Sequence, residues 1–234
     1  MSNADAFLNH FHEIERWMKK KLEKYEHTSF SEMVRVLKPI DPIIRRYSDD
    51  LYQYASLRNS IVHTRKGNLV IAEPYIETVN AIKIIRDEIL LPPNINISSN
   101  IFSVSKGDSI DLFLNCIREY DYSQVPVYDE NQMVIEVINT NTIARWLSAK
   151  TVDDIISLKE TVINDLLSHV EYPKNYKFIA RDTNLYEAAA IFQSFSANNK
   201  HNLDTLFVTE NGKPNKKLLG LVCIQDVAQY SSIS

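Results

Sequence analysis

The feature that most restricts the fold of this chain is an internal repeat in its carboxyl-terminal part. A strand pattern at Phe102 to Val104 precedes a helical pattern from Asp108 to Tyr120, strands at Val125 to Tyr128 and Val134 to Ile138, and a helix from Thr142 to Ala149. The same order returns at Phe178 to Ala180, Asn184 to Ala197, Leu206 to Thr209, Leu218 to Cys223 and Asp226 to Ser231. Each copy is therefore a β-α-β-β-α unit of roughly 50 residues. Superposed, Ile110 matches Leu185, Val127 matches Val208, Thr142 matches Asp226 and Trp146 matches Tyr230. The second copy carries the longer loops, around Asn198 to Asn202 and Gly212 to Lys217.

Upstream the pattern is helical. Phe7, Phe11, Ile14, Trp17, Met18 and Leu22 recur at the spacing of an amphipathic helix over Phe7 to Tyr25. Ser29 or Ser31 caps a second, short helix through Val36 and Leu37, and a third runs from Pro42 to His63. After a turn at Lys66-Gly67-Asn68, a fourth runs from Glu73 to Leu91 with Pro74 in its first turn and Val79, Ile82, Ile85 and Ile89 inward. Pro92-Pro93-Asn94 stops it and opens a linker, since neither proline donates a backbone hydrogen bond. The expected architecture is α+β and multidomain: an amino-terminal all-α four-helix bundle over residues 1–91, a linker over 92–101, and repeats over 102–150 and 151–234, the second with a connecting helix.

Composition narrows the function. With 4 glycines in 234 residues, Gly-rich phosphate loops are excluded. Cys116 and Cys223 sit in apolar runs, as reduced core thiols do, and no zinc spacing exists. No stretch approaches the roughly 20 apolar residues of a membrane span, which predicts a cytoplasmic protein. The net charge is −4, with 14 Lys/Arg against 13 Asp/Glu up to Leu91, leaving 12 against 17 of the chain's 26 and 30. Neither part is a basic nucleic-acid platform, so any RNA contact has to be local.

One cluster is equipped for chemistry. On a helix, Arg58, Asn59 and His63 fall within an arc of about 140°, so the three side chains converge on one groove. Val62 lies inside that arc, as expected of a covered face, for example one opposed by a second copy of the same helix.

The repeats, with VPVYDENQMVIEVI in one and LFVTENGKPNKKLLGLVCIQDV in the other, resemble the paired domains named after cystathionine β-synthase, the CBS pair, from Ile95 onward. That resemblance implies sheet packed on sheet, with clefts that bind an adenine nucleotide such as AMP or ATP as a regulatory ligand and require no cofactor. The family signature is a glycine, two apolar residues, Thr or Ser, two more residues and Asp. Its hydroxyl meets phosphate or ribose, and its Asp accepts from the ribose hydroxyls. The second repeat reads Gly220 to Asp226, with Cys223 at the hydroxyl position. The first reads Glu136-Val137-Ile138-Asn139-Thr140-Asn141-Thr142, with neither the glycine nor the carboxylate. The ligand-binding candidates are Asp226, Cys223, Thr142, Asn139 and Thr140, and the second cleft is expected to bind better. An aspartate at position 226 also suits a helix cap.

Arg58 to His63, an arginine, a polar residue and a histidine after four intervening positions, resembles the motif of the HEPN family. This resemblance implies a helical bundle that dimerises with two motifs facing each other and, in catalytic members, RNA cleavage without metal. His63 is then the general acid or base, Arg58 stabilises phosphate charge and Asn59 orients either group. The combined expectation is a homodimeric, nucleotide-sensing regulator whose helical part is an endoribonuclease, with RNA and a small-molecule nucleotide as partners and no membrane. The alternative is a module that binds ligand and partner without catalysis.

Overall fold

The computed structural model describes residues 2–23, 28–63, 65–66, 69–70, 72–97, 101–150 and 157–231. The chain forms two compact units, one of residues 1–94, 184–190 and 230–234, the other of residues 95–183 and 191–229.

In the first unit, α1 (Asn3–Lys21) starts at a reciprocal cap between Ser2 and Asp5. Ser29, rather than Ser31, caps α2 (Phe30–Leu37) by accepting from the Glu32 N–H. The third expected helix is two: α3 (Pro42–Arg46) and α4 (Ser48–His63). Asp41 takes the Ile43 and Ile44 N–H groups and fixes the start of α3 with Pro42 in its first turn. The break at Tyr47 is local: its N–H returns to Ile43 O, while the Ser48 hydroxyl donates to the Arg45 carbonyl. Arg65–Lys66 (β1) pairs antiparallel with Leu69–Val70 (β2); Gly67 and Asn68 of the expected turn lie outside the described residues. Finally α5 (Ile76–Leu90) begins two residues after Pro74, at an extended Tyr75. Five helical segments thus replace the expected four among the described residues before Leu91.

The apolar stripe of α1 is the centre of this unit. Phe7, Phe11, Ile14 and Met18 pack with Met33, Val34 and Leu37 of α2, Leu51 and Tyr54 of α4, and Ile82, Ile85 and Ile89 of α5. Burying each such side chain contributes about 1.5–3 kcal/mol before entropy. The same core takes Tyr186, from the beginning of a later helix. The Tyr47 and Tyr186 hydroxyls both donate to the Glu88 carboxylate, and the Arg46 guanidinium lies 5.7 and 5.8 Å from their two rings.

The second unit contains both strand repeats. In the first, β3 (Val104–Ser105) runs parallel to β4 (Gln124–Tyr128), which pairs antiparallel with β5 (Val134–Asn139); α6 (Ile110–Tyr120) and α7 (Thr140–Lys150) complete it. After α8 (Ile163–Leu167), the second repeats this with β6 (Tyr176–Ala180), α9 (Leu185–Asn198), β7 (Thr205–Thr209), β8 (Leu218–Val222), α10 (Ile224–Val227) and a 3₁₀ turn over Ala228–Tyr230. The likeness extends to register: Val127 opposes Glu136 as Val208 opposes Gly220, and both ladders shift at the next residue. The sheets share a buried cluster of Val137, Phe207 and Leu218, with Tyr128, Tyr176 and Phe178 against it. The Tyr176 hydroxyl donates across to Ile135 O at 3.2 Å.

Candidate functional site

Each repeat ends its last strand in a sharp turn into a helix, and the candidate ligand residues lie there. At the first junction Asn139 Oδ1 accepts from the Thr142 N–H at 2.9 Å and from its hydroxyl at 3.1 Å, while Thr142 Oγ1 accepts from the Asn139 N–H at 3.3 Å. These bonds lock the two residues to each other across the turn. Thr142 is 1% exposed, so its hydroxyl faces the interior, whereas Thr140 is exposed on the first turn of α7. Across the opening, Glu171 is held by the Asn141 amide and the Arg145 guanidinium.

At the second junction the Cys223 N–H donates to Asp226 Oδ2 at 2.7 Å, the reciprocal-cap position occupied by Thr142 in the first copy. Asp226 is exposed, and its Oδ1 has no donor among the described residues. The Cys223 thiol donates to Gln124 Oε1 of the first repeat at 3.0 Å. Burial, followed by the charge of Asp226, pushes that thiol up to about 12. Cys223 therefore joins the two repeats and holds a proton.

Sequence reasoning did not single out Glu136 as a functional part of the first junction. It stands where the second copy has Gly220, is 8% exposed, and accepts from the Lys174 N–H through both oxygens, at 3.0 and 2.9 Å, and from the Val137 N–H at 3.0 Å. Lys174 is left-handed, with φ 58°. Burial raises the Glu136 pKa against these hydrogen bonds, and nearby Asp204 raises it further. Asp204 is itself raised by burial and by Glu171. The buried Glu136 thus closes the first junction on its strand side. The glutamate replacing the signature glycine was the signal available in the sequence.

Of the helical candidates, Arg58 and Asn59 line a cavity of about 260 Å³ with Glu15, Ser29, Phe30 and Ser31. Arg58 Nη1 donates to Asn59 Oδ1 at 3.3 Å. Glu15 is paired with Lys19 at 3.0 Å. The backbone of His63 closes α4, but its side chain lies outside the described residues. A larger cavity, about 550 Å³, opens at the hairpin end of the strands. It is four residues along β4 from Gln124, about 13 Å from the junctions. No helix among the described residues is long and apolar enough to cross a membrane.

Residues 94–149 match the family model described as CBS domain, and the chain carries a CBS domain there. No curated protein matches the sequence. Among solved structures, a CBS domain-containing protein of unknown function from Kribbella flavida aligns at 17% identity over 56% of this chain and 93% of its own, with a TM-score of 0.42. CBSX2 in complex with AMP aligns at 20% identity over 58% and 90%, with a TM-score of 0.40. The CBS domain of a bacterial CNNM/CorC family Mg2+ transporter in complex with ATP aligns at 16% over 58% and 82%, with a TM-score of 0.38.

Proposed function

We propose that the protein is a nucleotide-sensing regulator in which the two repeats act as a tandem CBS pair and the second junction holds the ribose of an adenine nucleotide. The observation that carries this reading is Asp226: an exposed carboxylate at a strand-to-helix turn, steadied through Oδ2 by the Cys223 N–H and offering Oδ1 to a ribose hydroxyl. Gly220 supports it, since a Cβ there would lie 3.3 Å from Val208 Cγ2, so the signature glycine has a packing reason to be present. Cys223 is a positioning residue here rather than a phosphate ligand. Asn139 and Thr142 serve the fold of the first junction. Calorimetric titration with AMP and ATP tests the reading, using Asp226→Asn, which keeps a cap acceptor and removes the charge. A hydrogen bond to a charged acceptor is worth about 1.5–3 kcal/mol, so affinity falls by a factor of ten or more. Equal affinity in the variant removes Asp226 from the site.

A second reading concerns the helical unit. Arg58 and Asn59 sharing a cavity wall favours a HEPN-like, homodimeric output domain that cleaves RNA, with His63 as acid or base and Arg58 on the phosphate. Its test is cleavage of mixed RNA by the wild type, Arg58→Ala and His63→Ala, with and without AMP or ATP. Sedimentation supplies the subunit number. Equal cleavage by wild type and His63→Ala assigns the activity elsewhere; no cleavage by any of them leaves the helical unit as a partner-binding or dimerising element.

A further inference from the structure

We propose that the cavity between the two hairpin connections of the repeat unit binds a small amphipathic anion, a phosphate- or carboxylate-bearing molecule with an apolar body about the size of an aromatic ring. At about 550 Å³ it has the capacity of a small-molecule pocket, and it lies at the opposite end of the strands from Asp226. One part of its wall is apolar, from Ile101, Met133 and Leu218. The other is cationic, from Lys216 and Lys217 on the connection between β7 and β8.

The sign of the ligand follows from which charges are already matched. Among the described residues, neither lysine ammonium has a carboxylate partner. The acids of the facing turn are engaged: Glu130 pairs with Lys106 at 2.7 Å, and Asp129 accepts from the Asn131 and Met133 N–H groups, each at 2.9 Å. Those backbone bonds hold the Asp129 carboxyl below the usual carboxylate range. Two ammonium groups without a carboxylate partner beside an apolar wall favour a ligand with both features, which gains charge-assisted hydrogen bonds from one part of the site and apolar burial from the other. Tyr128, whose pKa burial raises, also lines the cavity.

The facing turn is also shaped at a conformational cost. Gln132 lines the cavity with φ 61°, the left-handed region that favours glycine. The second hairpin puts Gly212 into that region, with φ 72°.

The test is titration of the full chain with phenylphosphonate, followed by calorimetry and phosphorus NMR, with inorganic phosphate and benzyl alcohol as the two half-ligands. The expected result is one site binding phenylphosphonate at least about tenfold more tightly than either half-ligand. Lys216→Ala/Lys217→Ala weakens it about tenfold or more, and Asp226→Asn leaves it unchanged. Both lysines are exposed loop residues, so the double variant folds, as an unchanged Tm verifies. Equal binding of inorganic phosphate, indifference to the lysine substitutions, or no saturable binding below about 10 mM overturns the proposal.

Discussion

Replacing Glu136 tests why the first repeat lacks the signature glycine. Its carboxylate takes two backbone donors, Lys174 N–H and Val137 N–H, from a position 8% exposed. Hydrogen bonds to a charged acceptor are worth about 1.5–3 kcal/mol each, but burying that charge opposes them and outweighs them in setting the pKa, so what the substitution mainly exposes is the cost of leaving the donors without an acceptor. Glu136→Ala, which also leaves the donors unsatisfied, is expected to destabilise by about 2 kcal/mol and to lower Tm by about 4–8 °C in a chain of this size. Glu136→Gln keeps one acceptor oxygen and costs about half as much. The two variants also separate in their pH dependence. Burial, the largest influence, raises the folded pKa of Glu136 above its ordinary 4.5, so the folded state binds more protons in the interval above that value. The associated stability is lost as the pH rises through the folded pKa and regained as it falls. Wild type therefore gains on Glu136→Gln as the pH is lowered from neutral towards 4.5, measured by urea unfolding at each pH. A Glu136→Ala protein melting within about 1 °C of wild type refutes the proposed hold on Lys174.

Three further experiments probe the packing of the repeats and of the helical core. Gly220→Ala sets a Cβ 3.3 Å from the buried Val208 Cγ2, and the overpacking costs about 1–3 kcal/mol in urea unfolding; adding Val208→Ala makes the double variant lose less than the sum of the singles, and strict additivity refutes the contact. With its thiol pushed up to about 12, Cys223 resists iodoacetamide at pH 8 in the native protein and reacts in urea; rapid native labelling refutes this. Tyr186→Phe removes one of two hydroxyl donors to Glu88 and costs about 1–2 kcal/mol, and a cycle with Tyr47→Phe is non-additive because both donate to Oε2; independent effects refute the shared acceptor.

What was legible in the sequence was whatever local periodicity encodes. The inward positions of α1 and α5 and the order of strands and helices in both repeats follow from spacing within one element, whereas the choice between Ser29 and Ser31 as the cap of α2 does not. The break between α3 and α4 was not legible, because Ile44, Tyr47 and Leu51 continue a helical pattern across it, while the Ser48 hydroxyl bonding to Arg45 O is a matter of one rotamer. Glu136 was visible only as a departure from a signature; its partner Lys174 is 38 positions away and is brought to it by the fold. Trp146 and Tyr230 match in sequence but not in surroundings: Trp146 lies in the core of the first repeat, whereas Tyr230 stacks edge-on against Tyr186 beside the helical core. Arg58 and Asn59 of α4 line one cavity, but a six-residue motif carries no information about Glu15, Ser29 and Ser31, which complete it from other segments.

The two junctions also constrain how many nucleotides one chain takes on the proposed reading. Register makes Glu136 and Gly220 equivalent, and Thr142 and Asp226 occupy the same cap position. Between the two aligned signature positions, each copy therefore has one carboxylate, but at different places. In the first it lies on the strand, buried and turned onto backbone N–H groups; in the second it lies on the helix, exposed, with one oxygen uncommitted. A ribose needs an acceptor it can reach, and only the second arrangement provides one. The first adds Glu171, whose oxygens are already taken by the Asn141 amide and the Arg145 guanidinium. Calorimetry is accordingly expected to give one adenine nucleotide per chain, and the site lost in Asp226→Asn is that one. Two equivalent sites per chain, both surviving the substitution, would mean that neither junction carboxylate takes part in binding.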